Sequence, residues 1–574
     1  MHQLLRGRAQ SLLILCGIRW GIFAGAFLLS VHPLVAQVPR QLPSTIEPGR
    51  DRLQLPLPLE NNFDFSILAP GRAPVPRAVD ELKFTLRDIR ITGTTVFPPE
   101  TFRPLIAPLV GQEVALSDIN AVADGIEATY RAAGYALTRA FVPPQRVSDG
   151  IFTINVIEGF VSTVSVEGGD AAQRSFADRY LQNVLASKPL ALPIMERALL
   201  LANDLPGVAA SGLLRPSLST PGASDLAVQL TPTPITGDVA VDNRGSKFAG
   251  PWILRSDVAA NSLLGTAEQF LGSVAVAVPG AEEKVAASLR YTRPIGSDGT
   301  TLGLAASGTY GQPGSTLAPI SLVTNSYAVG PRIGYPLVRT RAESLLLDAG
   351  VTVQDAEITA LGAPFSHDRW RVADASLTYL QSGFLAGNSS ITFSVAQGLP
   401  IFGASNSGDP ELSRPGARMD FTKLGVILRR VQAVSGPVNV MVTLEGQYSF
   451  APLVAGEQVA FGGDTIGRGY DPAVLQGDRG VGGSFELRYD QRIDESLFLL
   501  VQPYVFYEAA RVANVNGTGL SAGSALSSAG IGVRATLFHG ITTGLEYAKT
   551  LTRLTTNDNG ELTGRVLFSA AVQY

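Results

Sequence analysis

Residues 283–293 read EKVAASLRYTR, and their alternation decides the fold. Val285, Ala287, Leu289 and Tyr291 fall on one parity, while Ser288, Arg290 and Thr292 fall on the other. Successive side chains of an extended chain point to opposite faces, so this stretch predicts a strand with one apolar and one polar side. The final residues 564–574, GRVLFSAAVQY, repeat the pattern, with Val566, Phe568, Ala570, Val572 and the terminal Tyr574 on one side. A soluble β protein also alternates, but it buries its apolar face and needs no terminal aromatic. A barrel in lipid turns that face outward and keeps the polar face for its lumen.

Between Pro234 and Tyr574 no helical period survives, and sixteen strand candidates can be marked, from ITGDVAVDN to GRVLFSAAVQY. That spacing, roughly 21 residues per strand with its connection, suits strands of about ten residues joined by alternating short turns and longer loops. The even count leaves both ends of the barrel on one side of the membrane, so whatever precedes residue 234 is expected in the periplasm.

Composition agrees with a turn-rich β protein. The 574 residues include 60 glycines and 4 methionines, and only 16% are charged, with a net charge of -4. The chain lacks the basic footprint of a nucleic-acid partner. Residues 1–36 carry His2, Arg6 and Arg8, then an apolar run interrupted by Arg19, then small residues before a cleavage point after Ala36; this predicts a secretory signal peptide. The single cysteine, Cys16, lies inside it behind Leu15, a poor context for lipidation. His367 and His539 are the histidines that remain, and with no thiolate available no metal site or cofactor is expected.

Residues 37–80 are rich in proline and read as a tether, with at most a short helix near Ser44. Two units follow, 81–160 and 161–233, each with the order β-α-α-β-β. In the first, FTLRDIRITG is a strand and PETFRPLIAPLVG a short helix. Ser117 is then expected to cap a helix in which Ile119, Val122, Ile126 and Tyr130 share a face. ALTRAFV and GIFTINVIEG close the unit as strands. In the second, Phe176, Tyr180 and Val184 line one helix face. The repeat reads as two copies of one module, whose exposed sheet edges could accept an extended chain as an added strand.

One loop stands out: residues 464–473, DTIGRGYDPA. Taken locally, Gly467, Gly469, Asp471 and Pro472 are turn formers, and Arg468 is a solvated charge. A second stretch, GLSAG at 519–523, matches the nucleophile-elbow pattern around Ser521, but its Gly-Ser-Asn surroundings and lack of a histidine partner argue against catalysis.

The whole arrangement resembles the two-partner secretion transporter family, TpsB: α+β periplasmic POTRA modules in two copies, followed by a 16-stranded antiparallel transmembrane β-barrel at 234–574. The resemblance is carried by IEGFVSTVSVEG at the module junction, DNRGSKFAGPW opening the barrel, and FGGDTIGRGY followed by GSFELRY. It implies an outer-membrane pore that secretes a cognate TpsA-type exoprotein caught unfolded in the periplasm. It also implies a leader helix near residues 44–53 that plugs the pore, and a C-terminal strand read by the outer-membrane assembly machinery through Phe568 and Tyr574. The tip Arg468, Gly469 and Tyr470 would sit in the lumen, with Arg468 paired to an acid on the thirteenth strand. There the family pattern is aromatic, any residue, Asp, any residue, Gly; this chain has Glu508 and Ala510. A solvated Glu508, with another lumen acid as the partner, stays open, as do an outer-membrane protein insertase or a passive porin as the function.

Overall fold

The computed structural model describes residues 64–67 and 83–574, apart from positions 148, 221, 494–497, 517–518, 521–522 and 555–559. The expected signal peptide, the leader helix near Ser44 and Ser521 of GLSAG lie outside the described residues, as does the side chain of His539.

The first module has a three-stranded sheet in which Ile151–Ile157 is central, parallel to Asp88–Thr92 and antiparallel to Arg139–Phe141. Helix Leu116–Ala132 lays Ile119, Val122, Ile126 and Tyr130 against Ile89, Phe152 and Ile154, as the spacing of three and four requires. Three local expectations change. Ala115, not Ser117, is the N-cap, because the Asp118 carboxylate reaches back to accept the Ala115 N–H at 2.8 Å. The stretch expected as one short helix divides into Pro99–Phe102, Arg103–Ile106 and Ala107–Leu109, since Pro104 and Pro108 each remove a helix donor. ALTRAFV shortens to Arg139–Phe141: residues 136–138 belong to the turn that leaves the helix, where the Thr138 N–H bonds the Tyr135 carbonyl at 3.2 Å, and Pro143 and Pro144 stop the other end.

In the second module helices Ala171–Ala186 and Leu192–Asn203 cover one face of a sheet, with Phe176, Tyr180, Leu181 and Val184 buried between them. Asp170 caps the first helix, accepting the N–H groups of Ala172 and Gln173 at 2.8 and 2.9 Å. The sheet runs in the order Asp64–Ile67, Val208–Pro216, Ala223–Pro232, Phe160–Gly168. The first of these is a short piece of the leader, which the sequence reading took as a tether outside the periodic elements.

A buried ion pair joins this module to the barrel. Arg339 donates from Nε and Nη2 to the two carboxylate oxygens of Asp204 at 2.8 and 2.7 Å. Two parallel bonds of this kind fix orientation as well as distance.

The barrel closes through sixteen antiparallel strands, from Ile235–Asp242 to Gly564–Gln573, the twelfth being Arg479–Tyr489 continued by Gln491–Arg492. Last and first strands pair from Asp238 with Gln573 to Asp242 with Ser569. Tyr574 extends the seam, exchanging N–H···O bonds with Gly237 at 3.0 and 3.1 Å. Asn243 locks the other end, donating to the Val566 carbonyl and accepting the Phe568 N–H at 2.9 and 2.7 Å. Leu289, Leu304, Phe393, Ile531 and Val566 stand at least half exposed on the outer wall, where lipid takes the place of a core. No described helix is long and apolar enough to cross a membrane.

Glu158, in the junction motif, ties the first module together. Its carboxylate accepts the N–H groups of Thr95 and Val96 at 2.7 and 3.0 Å, the Thr95 hydroxyl, and the Tyr130 hydroxyl at 2.6 Å. Burial opposes its ionisation, but the hydrogen bonds from Thr95 and Tyr130 and from the backbone outweigh it and hold its pKa below the usual carboxylate value. The stability it contributes is therefore fully present above its unfolded pKa of about 4.5 and is lost as pH falls through the lower folded value. Glu158→Ala should cost about 1–3 kcal/mol at neutral pH, because it leaves the hydroxyl of the buried Tyr130 and the N–H of the half-buried Val96 without their acceptor. In denaturant titrations the gap between wild type and variant should narrow as the medium is acidified below the normal carboxylate range; a gap that stays constant would show that the carboxylate's charge plays no part.

Candidate functional site

Between the eleventh strand, Val438–Ser449, and the twelfth, residues 450–478 form a loop that turns into the lumen. Its inner part is a hairpin, Val459–Phe461 paired with Leu475–Gly477, whose tip carries the 464–473 stretch. Ile466 and Tyr470 bury against Ala510, Val512 and Leu526 of the barrel wall, so the tip is held by apolar contact before any charge is counted.

The two glycines flanking Arg468 have different reasons. Gly467 lies at φ +97°, a backbone region that side chains rarely adopt. Gly469 has no such φ; there a Cβ would come within 2.9 Å of the Thr550 backbone nitrogen, because the tip runs directly along the fifteenth strand, Ile541–Thr550. Turn propensity alone accounts only for the first.

The structure brings Arg468 and Glu508 together, with Arg468 5% exposed and Glu508 0% exposed. Arg468 Nε donates to Glu508 Oε1 at 2.7 Å. Glu508 Oε2 accepts the backbone N–H groups of Gly467 and Arg468 at 2.7 and 2.8 Å. Ser484 and Ser528, on the strands either side, donate their hydroxyls to the same carboxylate at 3.2 and 3.0 Å. One carboxylate thus grips both the side chain and the backbone of the tip.

Arg468 also reaches two acids that sequence reasoning missed. Nη1 donates to Glu546 Oε2 at 2.7 Å and to Glu486 Oε2 at 3.2 Å. Glu486 stands on the twelfth strand and Glu546 on the fifteenth, and both share the lumen-facing parity of their strands in GSFELRY and TTGLEYAKT. The signal was present, but periodicity names the lumen residues without saying which strands lie under the loop. Arg534 and Arg488 balance Glu486, with Arg534 Nη1 and Arg488 Nε donating to Oε1 at 2.6 and 2.5 Å. The Arg468 guanidinium stacks 3.5 Å from the centre of the Phe506 ring, and Arg534 lies 3.9 Å over Tyr504. These aromatic faces add attraction where water is scarce.

Tyr470 is a second anchor. Its hydroxyl accepts the Thr552 N–H at 3.0 Å and faces the carbonyls of Thr552 and Ser527 at 2.7 and 2.9 Å. Arg565 of the last strand donates to the Tyr470 carbonyl at 2.6 Å. Phe568 and Tyr574 are far from this chemistry in role: Phe568 lies 6.2 Å from Trp252 across the seam, and Tyr574 completes the closing ladder.

A closed barrel with an apolar wall, a polar lumen entered by an anchored loop, and two α/β modules at one mouth defines a membrane pore with soluble domains on one side. The profile of the family described as haemolysin secretion/activation protein ShlB/FhaC/HecB matches residues 222–535, and that of the ShlB-type POTRA domain matches residues 84–159. The chain belongs to this family. It is an outer-membrane protein with its POTRA region in the periplasm, and the loop carrying Arg468 enters from the extracellular mouth. The outer membrane transporter CdiB of Dickeya dadantii (strain 3937) is 25% identical over 495 residues, covering 83% of this chain and 84% of that one. The heme/hemopexin transporter protein HuxB of Haemophilus influenzae (strain 86-028NP) is 25% identical over 264 residues, and that match spans 45% of this chain and 46% of HuxB. The solved structure of CdiB from Escherichia coli superposes with a TM-score of 0.67 at 20% identity, covering 88% of this chain and 93% of that one, a likeness of fold.

Removing one partner of a buried ion pair costs about 3–5 kcal/mol, since the other charge is left uncompensated. Arg468→Ala and Glu508→Gln should therefore free the tip while leaving the barrel folded. In planar lipid bilayers both variants should show larger and noisier conductance than wild type. Glu508→Asp should behave like Glu508→Gln, because the shorter side chain cannot reach the two backbone N–H groups and Arg468 Nε at once. Wild-type conductance in all three would show that the cluster does not hold the loop.

Proposed function

We propose that this protein is a secretion pore that exports a cognate exoprotein across the outer membrane. The unfolded partner is met in the periplasm by two POTRA modules, residues 81–160 and 161–233, and threads the barrel of residues 234–574. The observation that carries the reading is the pair of modules docked at the periplasmic mouth, for which a passive pore has no use, together with a lumen loop held at Arg468 by three carboxylates.

The names of the relatives, a heme/hemopexin transporter protein and an outer membrane transporter, support transport rather than catalysis, and we assign no enzymatic step to this chain. ATP is absent from the periplasm, so folding of the exported chain outside the cell supplies the direction, by removing the unfolded form from the equilibrium. Phe568 and Tyr574, on the strand that closes the barrel, are assigned to recognition by the outer-membrane assembly machinery. Arg468, Gly469 and Tyr470 are assigned to loop positioning, with Glu508 as the wall partner of Arg468.

The test is co-expression with its cognate exoprotein, followed by quantitation of that protein in the medium. Arg468→Ala should reduce secretion to a small fraction of wild type at equal outer-membrane levels, with the barrel still heat-modifiable on gels. Normal secretion by that variant would overturn the reading.

A further inference from the structure

The loop that carries Arg468 crosses the lumen, and its other foot rests on the opposite wall. Glu457, in the short turn of 3₁₀ helix Ala455–Glu457 that precedes the inner hairpin, is 1% exposed. Its carboxylate accepts the indole N–H of Trp370 at 2.8 Å and an amide N–H of Gln354 at 3.4 Å, and lies 2.7 Å from the Lys423 ammonium. Lys423 and Gln447 also donate to the Glu457 carbonyl at 2.8 and 3.1 Å. These partners stand on the seventh, eighth, tenth and eleventh strands, Glu343–Ala360, Ala363–Phe384, Thr422–Ser435 and Val438–Ser449. The tip, by contrast, is held by strands twelve to sixteen.

The connection between the ninth strand, Gly387–Gly398, and the tenth covers this foot. The eighth strand pairs with the ninth only from Val372 opposite Gly398 downward, so its edge beyond that point needs another partner. Leu399 and Ser405 supply it, donating their N–H groups to the carbonyls of Arg371 and Arg369 at 2.8 and 2.7 Å. Further along, Ser413 Oγ accepts the Ala455 N–H at 3.0 Å, and Leu412, Met419 and Phe421 pack with Leu453, Val454 and Trp370.

Beneath the foot the lumen holds a cavity of about 420 Å³ that runs along strands four to eleven, past Arg290, Ser307, Arg332 and Ser394. Gln354, Lys423 and Gln447, which touch Glu457, line its extracellular end. Among the described residues its lining includes none from strands twelve to sixteen, where the tip is packed. The two feet also differ in strength. Arg468 is set among three carboxylates and stacked on Phe506, with Tyr470 as a second anchor, whereas Glu457 forms its ion pair with Lys423.

We infer that Glu457 is a second positioning residue of the lumen loop, which shuts the cavity along strands four to eleven at its extracellular end, and that this path opens when Glu457 leaves Trp370 and Lys423 while Arg468 stays held. Opening admits water to both ions of the Glu457–Lys423 pair, so the desolvation cost of the closed state is recovered as the pair separates. Naming the traffic through this path as an exported polypeptide rests on the secretion reading; the latch itself does not.

Single-channel recording of the purified full-length protein in planar bilayers provides the test. Glu457→Gln removes the charge but keeps the shape, and should raise the ratio of open to closed time about tenfold, the effect of losing a charged hydrogen-bond partner. Trp370→Phe, which removes only the indole donor, should move the ratio the same way by less. Added to Arg468→Ala, Glu457→Gln should multiply the ratio by its own factor, as independent sites do. Gln354→His with Glu457→His puts two imidazoles where the side-chain ends now lie 3.4 Å apart, close to the N···N separation of about 3.3 Å at a tetrahedral zinc ion. Zn²⁺ should close that variant, EDTA should reopen it, and Glu457→His alone should not respond to the metal. An unchanged ratio in both Glu457→Gln and Trp370→Phe, with barrels as heat-modifiable as wild type, would overturn the assignment. So would a double-histidine variant that Zn²⁺ leaves open, or an effect of Glu457→Gln that vanishes beside Arg468→Ala. Failure of the secretion reading would instead appear as normal export by Arg468→Ala, with closure by Zn²⁺ unaffected.

Discussion

Backbone hydrogen bonding in lipid is the constraint on which this structure depends. A strand in hydrocarbon has no water to satisfy its N–H and C=O groups, so every strand must have two neighbours and the sheet must close. The closing pair here is the shortest commitment in the barrel wall, from Asp238 with Gln573 to Asp242 with Ser569. Its ends are reinforced by groups outside the regular ladder: the terminal Tyr574 bonds Gly237, and Asn243 bonds both Val566 and Phe568. The motif that opens the barrel and the last residue of the chain thus serve the same closure.

Closure has a second consequence. With apolar side chains turned to lipid, the polar parity of every strand faces the lumen, and charges that a soluble core would exclude can be gathered there. The Arg468 cluster uses this. Glu486, Glu508 and Glu546 come from three different strands, and Arg534 and Arg488 offset the excess of negative charge. Each ion is desolvated by the loop above it and compensated by its neighbours, which is the condition under which a buried ion pair is tolerated. The loop in turn is positioned by charge at Arg468, by hydrogen bonding at Tyr470 and by packing at Ile466.

At the periplasmic mouth the same rule about unpaired backbone groups governs the modules. Glu127 and the prolines that follow close the Arg139–Phe141 edge, and a piece of the leader pairs along the Val208–Pro216 edge. The second module is fastened to the barrel through Asp204 and Arg339, so what happens at its sheet is tied mechanically to the barrel wall.

Much of this was legible in the chain. Alternation in EKVAASLRYTR and GRVLFSAAVQY, with a terminal aromatic, points to a barrel, the count of sixteen follows from spacing, and the helix faces in both modules follow from a period near 3.6, because these are properties of neighbouring residues. Local chemistry also misled: Ser117 is a good cap in isolation but loses to Asp118 reaching back to Ala115, prolines divided one predicted helix, and the turn after the long helix took the start of ALTRAFV. What only the tertiary structure decided is which residues meet across strands. Sequence parity places Glu486 and Glu546 in the lumen but cannot bring them to Arg468, since that depends on strand register around the barrel and on the path of a 29-residue connection, positions 450–478. The leader strand was invisible for the same reason: four residues with no period of their own become a strand only because Val208–Pro216 offers them an edge.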